Sequence, residues 1–263
     1  MIPAKPLAPA ALALLVMLCG CGGKPAATHG AEAQGAPEAP GYLAPPMPDA
    51  IQPSGAGWRL SGTAPPGARL RLATPQGEAL AATADAQGRW SVVLAPNAEP
   101  RIFGLSANDG GRQVQSEGYV LVGPQGQAAV LRSGAGAKRI DRPKAPGLRA
   151  LDFDQGGGLE ISAAAGPGAT LIVELDGRQV AEGKTDADGR YVVVRSPANS
   201  TRVPPGAHRV QVSGDGVRDA VSFQISPPQP LAQGPLRSQL TPAGLRVDWL
   251  TPGGGVQSTI LVH

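Results

Sequence analysis

The six residues DAQGRW at positions 85–90 return in nearly the same form as DADGRY at positions 186–191. The tripeptide PGA, at 66–68 and again at 167–169, has the same separation, since 167 − 66 and 186 − 85 both equal 101. Unrelated chance matches do not share one offset. The chain therefore contains two copies of one module.

Each copy has the pattern of β-strands separated by turns. In RLRL at 69–72, leucine alternates with arginine, which is the period of a strand with one buried face. In the repeated hexapeptide, the aspartate can accept hydrogen bonds from the backbone that follows it, and Gly88 or Gly189 supplies a positive φ. Trp90 and Tyr191 occupy equivalent positions in the next strand, which favours core anchors over ligand-binding aromatics.

Further alternating apolar segments occupy residues 103–107, 119–122, 210–212 and 221–225. Gly (37 residues) and Pro (28 residues) interrupt the chain often, so the strands between them are short. Strands at this spacing predict an all-β fold of two tandem β-sandwich modules, residues 51–142 and 143–227. The stretch 142–147 predicts a protease-sensitive joint between two separately resistant cores.

The segments PGATLIV at 167–173, TDADGRY at 185–191 and VPPGAH at 203–208 resemble the bacterial Ig-like repeats of envelope and surface proteins. They are similar in particular to the Ig-like segments that accompany LysM peptidoglycan-binding domains in some alphaproteobacterial proteins. The resemblance covers roughly residues 51–227 and implies that both modules are Ig-like. No LysM-like segment accompanies them, so the resemblance does not extend to glycan binding by that route.

The N-terminus has the pattern of a targeting signal. The apolar stretch at 11–18 is too short to span a bilayer, which takes about 20 residues, and it has the length of a signal-peptide core. It ends in LCGC at 18–21, which resembles the bacterial lipobox. The resemblance implies a lipoprotein signal peptide over residues 1–20 and palmitate-type acylation of Cys21. The alternative is an ordinary secretory signal with a chance cysteine.

Residues 21–50 consist mainly of Gly, Ala and Pro without an apolar period, which predicts a disordered tether. Gly22 stands where an aspartate would resemble a signal for retention in the inner membrane. We therefore expect the cell envelope as the location, with the periplasmic side of the outer membrane favoured over the inner membrane. The membrane is the expected partner, through the lipid anchor.

Residues 228–263 follow a Pro-rich link and predict a β-hairpin. Leu245, Val247 and Trp249 alternate on one face, PGGG at 252–255 forms the turn, and 256–262 returns. Two strands cannot bury both of their faces, and open sheet edges gain from pairing. The hairpin should therefore extend or cap a module, with Trp249 as its anchor.

Several functions are not expected from this sequence. The net charge is only +3, aromatic residues are 3% of the chain and no basic run occurs, so nucleic-acid binding is not predicted. His29, His208 and His263 fall in the tether, a turn and the last position, none beside another histidine or a carboxylate at ligand spacing, so neither a metal nor a cofactor is predicted. No nucleophile or phosphate-loop motif occurs. A hydrolase with two carboxylates stays open, because such pairs meet only in space.

The sequence thus predicts a non-enzymatic cell-envelope lipoprotein that acts as a spacer and protein-interaction module. The alternative is a glycan-binding module for peptidoglycan or surface polysaccharide, with Trp58 and Trp249 as the stacking aromatics. Exposed and clustered tryptophans would favour the alternative, and buried ones would favour the spacer. A cleft with converging carboxylates would favour an enzyme.

Overall fold

The computed structural model describes residues 42–55, 57–141, 145–195 and 202–263. Every regular element in these ranges is a β-strand, and the strands pair antiparallel. The prediction of an all-β fold is confirmed. The predicted signal peptide, Cys21 and most of the predicted tether lie outside the described residues.

The first module has nine strands, which form the sheets β1-β2-β5 and β4-β3-β6-β7-β8-β9. They are β1 (Met47–Ser54), β2 (Gly57–Thr63), β3 (Arg69–Ala73), β4 (Ala79–Thr83), β5 (Arg89–Leu94), β6 (Arg101–Asp109), β7 (Arg112–Val122), β8 (Ala128–Leu131) and β9 (Lys138–Arg139). Strand β1 begins at Met47, four residues before the predicted start of the module at 51, because Met47 and Pro48 already pair with β2.

The second module and the C-terminal segment share two sheets, β14-β11-β10-β19-β18-β17 and β13-β12-β15-β16. The strands are β10 (Gly147–Asp154), β11 (Leu159–Ala164), β12 (Thr170–Leu175), β13 (Arg178–Lys184), β14 (Arg190–Arg195), β15 (Gly206–Gly214), β16 (Val217–Ile225), β17 (Leu236–Thr241), β18 (Gly244–Leu250) and β19 (Val256–Val262).

The two modules are copies of one seven-strand Ig-like sandwich. The order β1-β2-β5 returns as β10-β11-β14, and the order β4-β3-β6-β7 returns as β13-β12-β15-β16. The offset is 101 at the fifth strand, from Arg89 to Arg190, but 105 at the sixth, from Arg101 to Gly206. The second module therefore carries four additional residues between its fifth and sixth strands.

The repeated hexapeptide forms the same turn in both modules. The Oδ1 atom of Asp186 accepts the N–H groups of Asp188 at 3.0 Å and Arg190 at 2.7 Å, and the equivalent carboxylate of the first module is bonded in the same way. Gly88 and Gly189 have φ values of 75° and 74°. These positions therefore require a residue that tolerates the left-handed region, and the turn prediction is confirmed.

Each sandwich encloses an apolar core. Trp90 is buried in the first core and donates its indole N–H to the Thr63 carbonyl oxygen at 2.9 Å. Tyr191, its counterpart, packs half-buried against the second core. Both aromatics serve the core as the repeat predicts.

The C-terminal segment extends the second module. The predicted hairpin is β18–β19, and β19 pairs with β10, placing Leu261 opposite Ala150. Trp249 is fully buried, as its predicted role as the anchor of the hairpin requires. The prediction missed one strand of this segment. Strand β17 pairs with the other edge of β18 and places Leu236 opposite Trp249.

A third apolar core lies between the modules, and we call it the junction core. Strands β6, β7 and β8 of the first module face β10, β17, β18 and β19 across it. It comprises Ile102, Tyr119, Leu121, Ala129, Leu131, Ala137, Ala150, Leu236, Leu245, Val247, Trp249 and Leu261. This packing differs from the prediction of two separate cores with a simple joint at 142–147, since the modules share buried apolar surface beyond the joint.

The repeated turn gives a stability prediction. A Cβ at Gly189 would lie 2.2 Å from the Ala165 carbonyl oxygen, and its φ is already in the left-handed region. Gly189→Ala should therefore lower the free energy of unfolding by roughly 1–3 kcal/mol. Gly166→Ala, where a Cβ meets nothing within 4 Å, is the matched control. Urea unfolding of the whole chain measures both, and equal midpoints for the two variants would contradict the assignment.

Candidate functional site

The junction core is closed by a chain of hydrogen bonds that runs from the C-terminal segment into the first module. The indole N–H of Trp249 donates to Thr259 Oγ1 at 3.0 Å, and the Thr259 hydroxyl donates to Asp152 Oδ1 at 2.5 Å. The other oxygen of Asp152 accepts the backbone N–H of Ala137 at 2.9 Å, and the Ser162 hydroxyl donates to the Ala137 carbonyl at 3.1 Å. The connection between β8 and β9 is thereby fixed to β10 and β11.

A second buried carboxyl lies next to Asp152. Glu160 is its cross-strand neighbour in the pairing of β10 with β11, and it accepts a hydrogen bond from the side-chain amide of Gln257 at 3.3 Å. Burial raises the pKa of Asp152 to about 6, against the effect of its hydrogen bonds. Burial, together with the charges of Asp152 and Asp154, raises the pKa of Glu160 to about 8. Two like charges in a dry interface are costly, so one of the two carboxyls keeps its proton near neutral pH.

An arginine joins the same elements at the rim of the junction. Arg139 lies in β9, and its guanidinium donates two hydrogen bonds to the Asp141 carboxylate, with lengths of 2.7 and 2.5 Å. The remaining Nη1 donates to the carbonyl oxygens of Val262 at 2.7 Å and Arg149 at 3.3 Å. The Arg139 side chain is 7% exposed. A planar guanidinium with its donors filled in this way fixes the last strand of the first module against both β10 and β19.

A groove of about 390 Å³ opens beside this rim, and we call it the Trp58 groove. Trp58 stands half-buried at its wall, with Gly126 packed so closely that a Cβ there would lie 2.4 Å from the ring. The residues around the groove are Ile51, Pro53, Trp58, Gln125, Gly126, Gln127, Arg139, Asp141, Leu245, Leu261, Val262 and His263. The first module and the C-terminal segment therefore both contribute to it.

A second groove of about 390 Å³ lies on the opposite face of β17 and β18. Arg246 fills its base by donating to Asp248, to the hydroxyls of Ser226 and Ser258 and to the Ser226 carbonyl. Burial would raise the pKa of Asp248, but hydrogen bonds from Ser258, Arg237 and Arg246 hold it below its usual value. These polar groups satisfy one another, which favours a structural role.

The structure separates the two tryptophans that the glycan alternative requires. Trp58 lines the groove, but Trp249 is fully buried in the junction core, where its ring makes an edge contact with Tyr119 at 6.1 Å between centroids. Trp249 cannot stack on a ligand, because no face of its ring reaches solvent. The prediction of two clustered stacking aromatics is therefore corrected to one.

One histidine lies in a different setting from the predicted turn. His208 is buried in β15, with Nδ1 2.7 Å from Asp176 Oδ2 and Nε2 2.8 Å from the Pro204 carbonyl oxygen. Asp176 directly follows β12, and the pairing of β12 with β15 brings it to the histidine. This one carboxylate does not make a metal site: no group of three or more potential ligands occurs among the residues that the structure describes.

The residues of the junction network escape sequence reasoning for a physical reason. Asp152, Glu160 and Thr259 each lie on the outward side of a different strand. A polar side chain at such a position is typical of a strand face in contact with solvent. They are buried because another module covers that face.

Within the described ranges, no helix is long and apolar enough to cross a bilayer.

Comparison with known proteins establishes no family. No family model matches the chain. Among curated proteins, the chain is similar to the ethanolamine ammonia-lyase reactivase EutA of Escherichia coli (strain K12), with 29% identity over 174 residues. The match covers 61% of this chain and 35% of EutA, so the chain spans about a third of that relative's length.

Two solved structures share a distant likeness. One is the BSP domain of a biofilm associated protein, with 13% identity, a TM-score of 0.24 and coverage of 70% of this chain and 30% of that one. The other is the central fibronectin-III array of RIM-binding protein, with 14% identity, a TM-score of 0.25 and coverage of 82% and 89%. TM-scores this low add nothing to the strand order, on which the Ig-like assignment rests.

The junction core predicts the effect of truncating its anchor. Trp249→Ala removes a fully buried ring and the donor to Thr259, so it should lower the free energy of unfolding by about 3–5 kcal/mol. Trp58→Ala is the matched control, because that ring is only half-buried. Chemical unfolding of the whole chain compares them. A Trp249→Ala loss no larger than that of Trp58→Ala would contradict the anchor.

The buried carboxyls predict a pH dependence. A carboxyl whose pKa is raised on folding stabilises the folded state in its protonated form, and this stability is lost as the pH rises through the folded-state pKa. Folding raises the pKa of Asp152 from 3.8 to about 6 and that of Glu160 from 4.5 to about 8, so the urea midpoint should fall between about pH 4 and pH 8 and level off above that range. Carboxyls whose pKa is lowered on folding, such as Asp248, change the urea midpoint only at more acidic pH.

Replacing one carboxyl tests this assignment. Glu160→Gln keeps the shape and removes the charge, so the decline in the urea midpoint above pH 6 should flatten. The exposed Glu117→Gln variant should keep the wild-type pH profile. A flat profile in the wild type, or an unchanged decline in Glu160→Gln, would show that the pair does not govern this pH range.

Proposed function

We propose that this protein is a non-enzymatic cell-envelope lipoprotein, held to the membrane through acylated Cys21, whose two modules act as one stiff spacer with an interaction surface. The junction core is the observation that carries the proposal. Tandem domains joined only by a linker move independently, whereas a buried apolar interface holds them in one orientation. A stiff body on a tether of about 26 residues, from Cys21 to the start of β1, presents its far end at a distance from the membrane.

The polar groups of the structure favour a structural role over catalysis. Asp152 and Glu160 converge, as a pair of catalytic carboxylates would, but neither lines the Trp58 groove or the groove at Arg246. In the grooves themselves, Asp141 is paired with Arg139 and Asp248 with Arg246. A general acid or base must reach substrate, and these carboxyls are either covered or already engaged.

An edge strand supports the interaction surface. Strand β17 is the outermost strand of the six-stranded sheet, and its far edge pairs with no strand among the described residues. Leu240, within β17, is 68% exposed, and Leu250, at the end of β18, is 45% exposed. An open edge with exposed apolar side chains is suited to the addition of a strand from a protein partner.

Glycan binding is a second candidate function, and the Trp58 groove is the observation that favours it. An aromatic ring beside amide side chains fits the apolar faces and hydroxyl groups of a sugar. Peptidoglycan and surface polysaccharide are the glycans that a protein of the envelope meets. The loss of Trp249 as a platform confines this candidate to the single groove.

The lipid anchor is tested by one substitution. Cys21→Ser removes the sulfur that would carry acyl chains, and stable anchoring takes two or more such chains. The variant should therefore leave the membrane fraction and appear in the soluble fraction. Cys19→Ser is the matched control and should stay with the membranes. Cell fractionation with a salt wash compares them. A Cys21→Ser protein that still pellets after the wash would place the anchor elsewhere.

A further inference from the structure

The three tryptophans differ in what their indole N–H groups bind. Trp90 donates to the Thr63 carbonyl at 2.9 Å, and Trp249 donates to Thr259 Oγ1 at 3.0 Å. Trp58 donates to no oxygen of the described residues, and its ring is the one that is not buried. Buried indole groups regularly find an acceptor in the protein, so Trp58 keeps its donor for solvent or for a ligand.

The walls of the Trp58 groove combine apolar surface with amides. Ile51 and Pro53 lie on the side of β1, and Leu261 lies on the side of β19. Gln125 is exposed at the rim. Gln127 is held beside it, because its Nε2 donates to Gln125 Oε1 at 3.3 Å and its Oε1 accepts the backbone N–H of Gln125 at 3.1 Å. The site thus offers an aromatic ring, aliphatic contacts and amide donors and acceptors within one concave surface, which is typical of small-molecule sites of this size.

Arg139 and Asp141 lie in the groove as an ion pair and neutralise each other. Arg139 uses its guanidinium on Asp141 and on the carbonyls of Val262 and Arg149. Asp141, which is 14% exposed, accepts two hydrogen bonds from that guanidinium. With this cation already engaged, the groove has little to attract a phosphate or an acidic sugar, and a neutral ligand fits better.

We propose that the Trp58 groove binds a neutral saccharide, with one pyranose face stacked on the exposed part of the Trp58 ring and its hydroxyl groups bonded to the indole N–H and to the side-chain amide of Gln125. The proposal deepens the second candidate function and rests on it, but it does not depend on the lipid anchor. The apolar C–H face of a pyranose matches the ring, and its hydroxyls match the amides, so one ligand class satisfies both halves of the groove.

Tryptophan fluorescence of the full chain tests the site, because Trp90 and Trp249 are buried and Trp58 is the accessible reporter. The probes are the β-1,4-linked tetramer of N-acetylglucosamine and the α-1,4- and β-1,4-linked tetramers of glucose. At least one should change the emission and shield it from acrylamide quenching. Trp58→Ala should weaken that binding, measured by calorimetry, about tenfold or more.

Two further variants separate the contacts. Trp58→Phe keeps an aromatic ring without the N–H donor and should bind with intermediate affinity. The exposed Gln125→Ala should weaken binding while leaving the unfolding midpoint unchanged, so a folding defect cannot mimic the result. Trp249→Phe, in the junction core, should bind like the wild type.

Two outcomes would overturn the proposal. The first is no response to any of the three neutral tetramers, whether or not an acidic polymer such as polygalacturonate binds. The second is binding that Trp58→Ala and Gln125→Ala leave unchanged. Membrane fractionation of Trp58→Ala distinguishes this failure from that of the spacer function, because the anchored spacer needs Cys21 and the junction core but not Trp58.

Discussion

Burial of Trp249 between the two modules is the constraint on which the rest of the structure depends. The ring is fully covered, and its N–H begins the hydrogen bonds through Thr259 and Asp152 to Ala137. The strand that carries Trp249 reaches this place because β19 pairs with β10. The C-terminal segment therefore both enlarges the sheet of the second module and provides the surface against which the first module packs.

This arrangement explains why an outward sheet face carries buried polar residues. A solitary sandwich would leave Asp152 and Glu160 in water, where both would ionise. Here the first module covers them, and burial raises the pKa of both carboxyls. The hydrogen bonds of Asp152 to Ala137 and Thr259 make the contact between modules specific in orientation, while the apolar residues of the junction core provide most of the stabilisation. At the rim, Arg139 adds a bidentate ion pair with Asp141, and both side chains are largely shielded from solvent.

Much of the fold could be predicted because it is encoded locally. The shared offset of the DAQGRW and DADGRY turns defined two modules, and positive φ at Gly88 and Gly189 follows from that motif. The C-terminal hairpin and its anchor followed from alternation around Trp249 and from the need to cover an apolar face. The Ig-like resemblance agrees with the strand order of both modules.

The junction could not be predicted, because it depends on pairings distant in sequence. Strands β8 and β9 have four and two residues and offer no clear period. Polar positions such as Asp152 look solvated until another module is placed over them. The same limit applies to His208, whose partner Asp176 lies 32 residues away, and to Trp58, whose groove is completed by residues from the C-terminal segment.

The unity of the two modules is tested most directly by cutting the chain between them. A specific protease site introduced at residues 142–144 allows cleavage of the folded protein, followed by size-exclusion chromatography and calorimetry without denaturant. The junction core predicts that the two fragments stay together at the elution volume of the uncut protein and unfold in one transition. Two separately eluting fragments, each with its own transition, would contradict it.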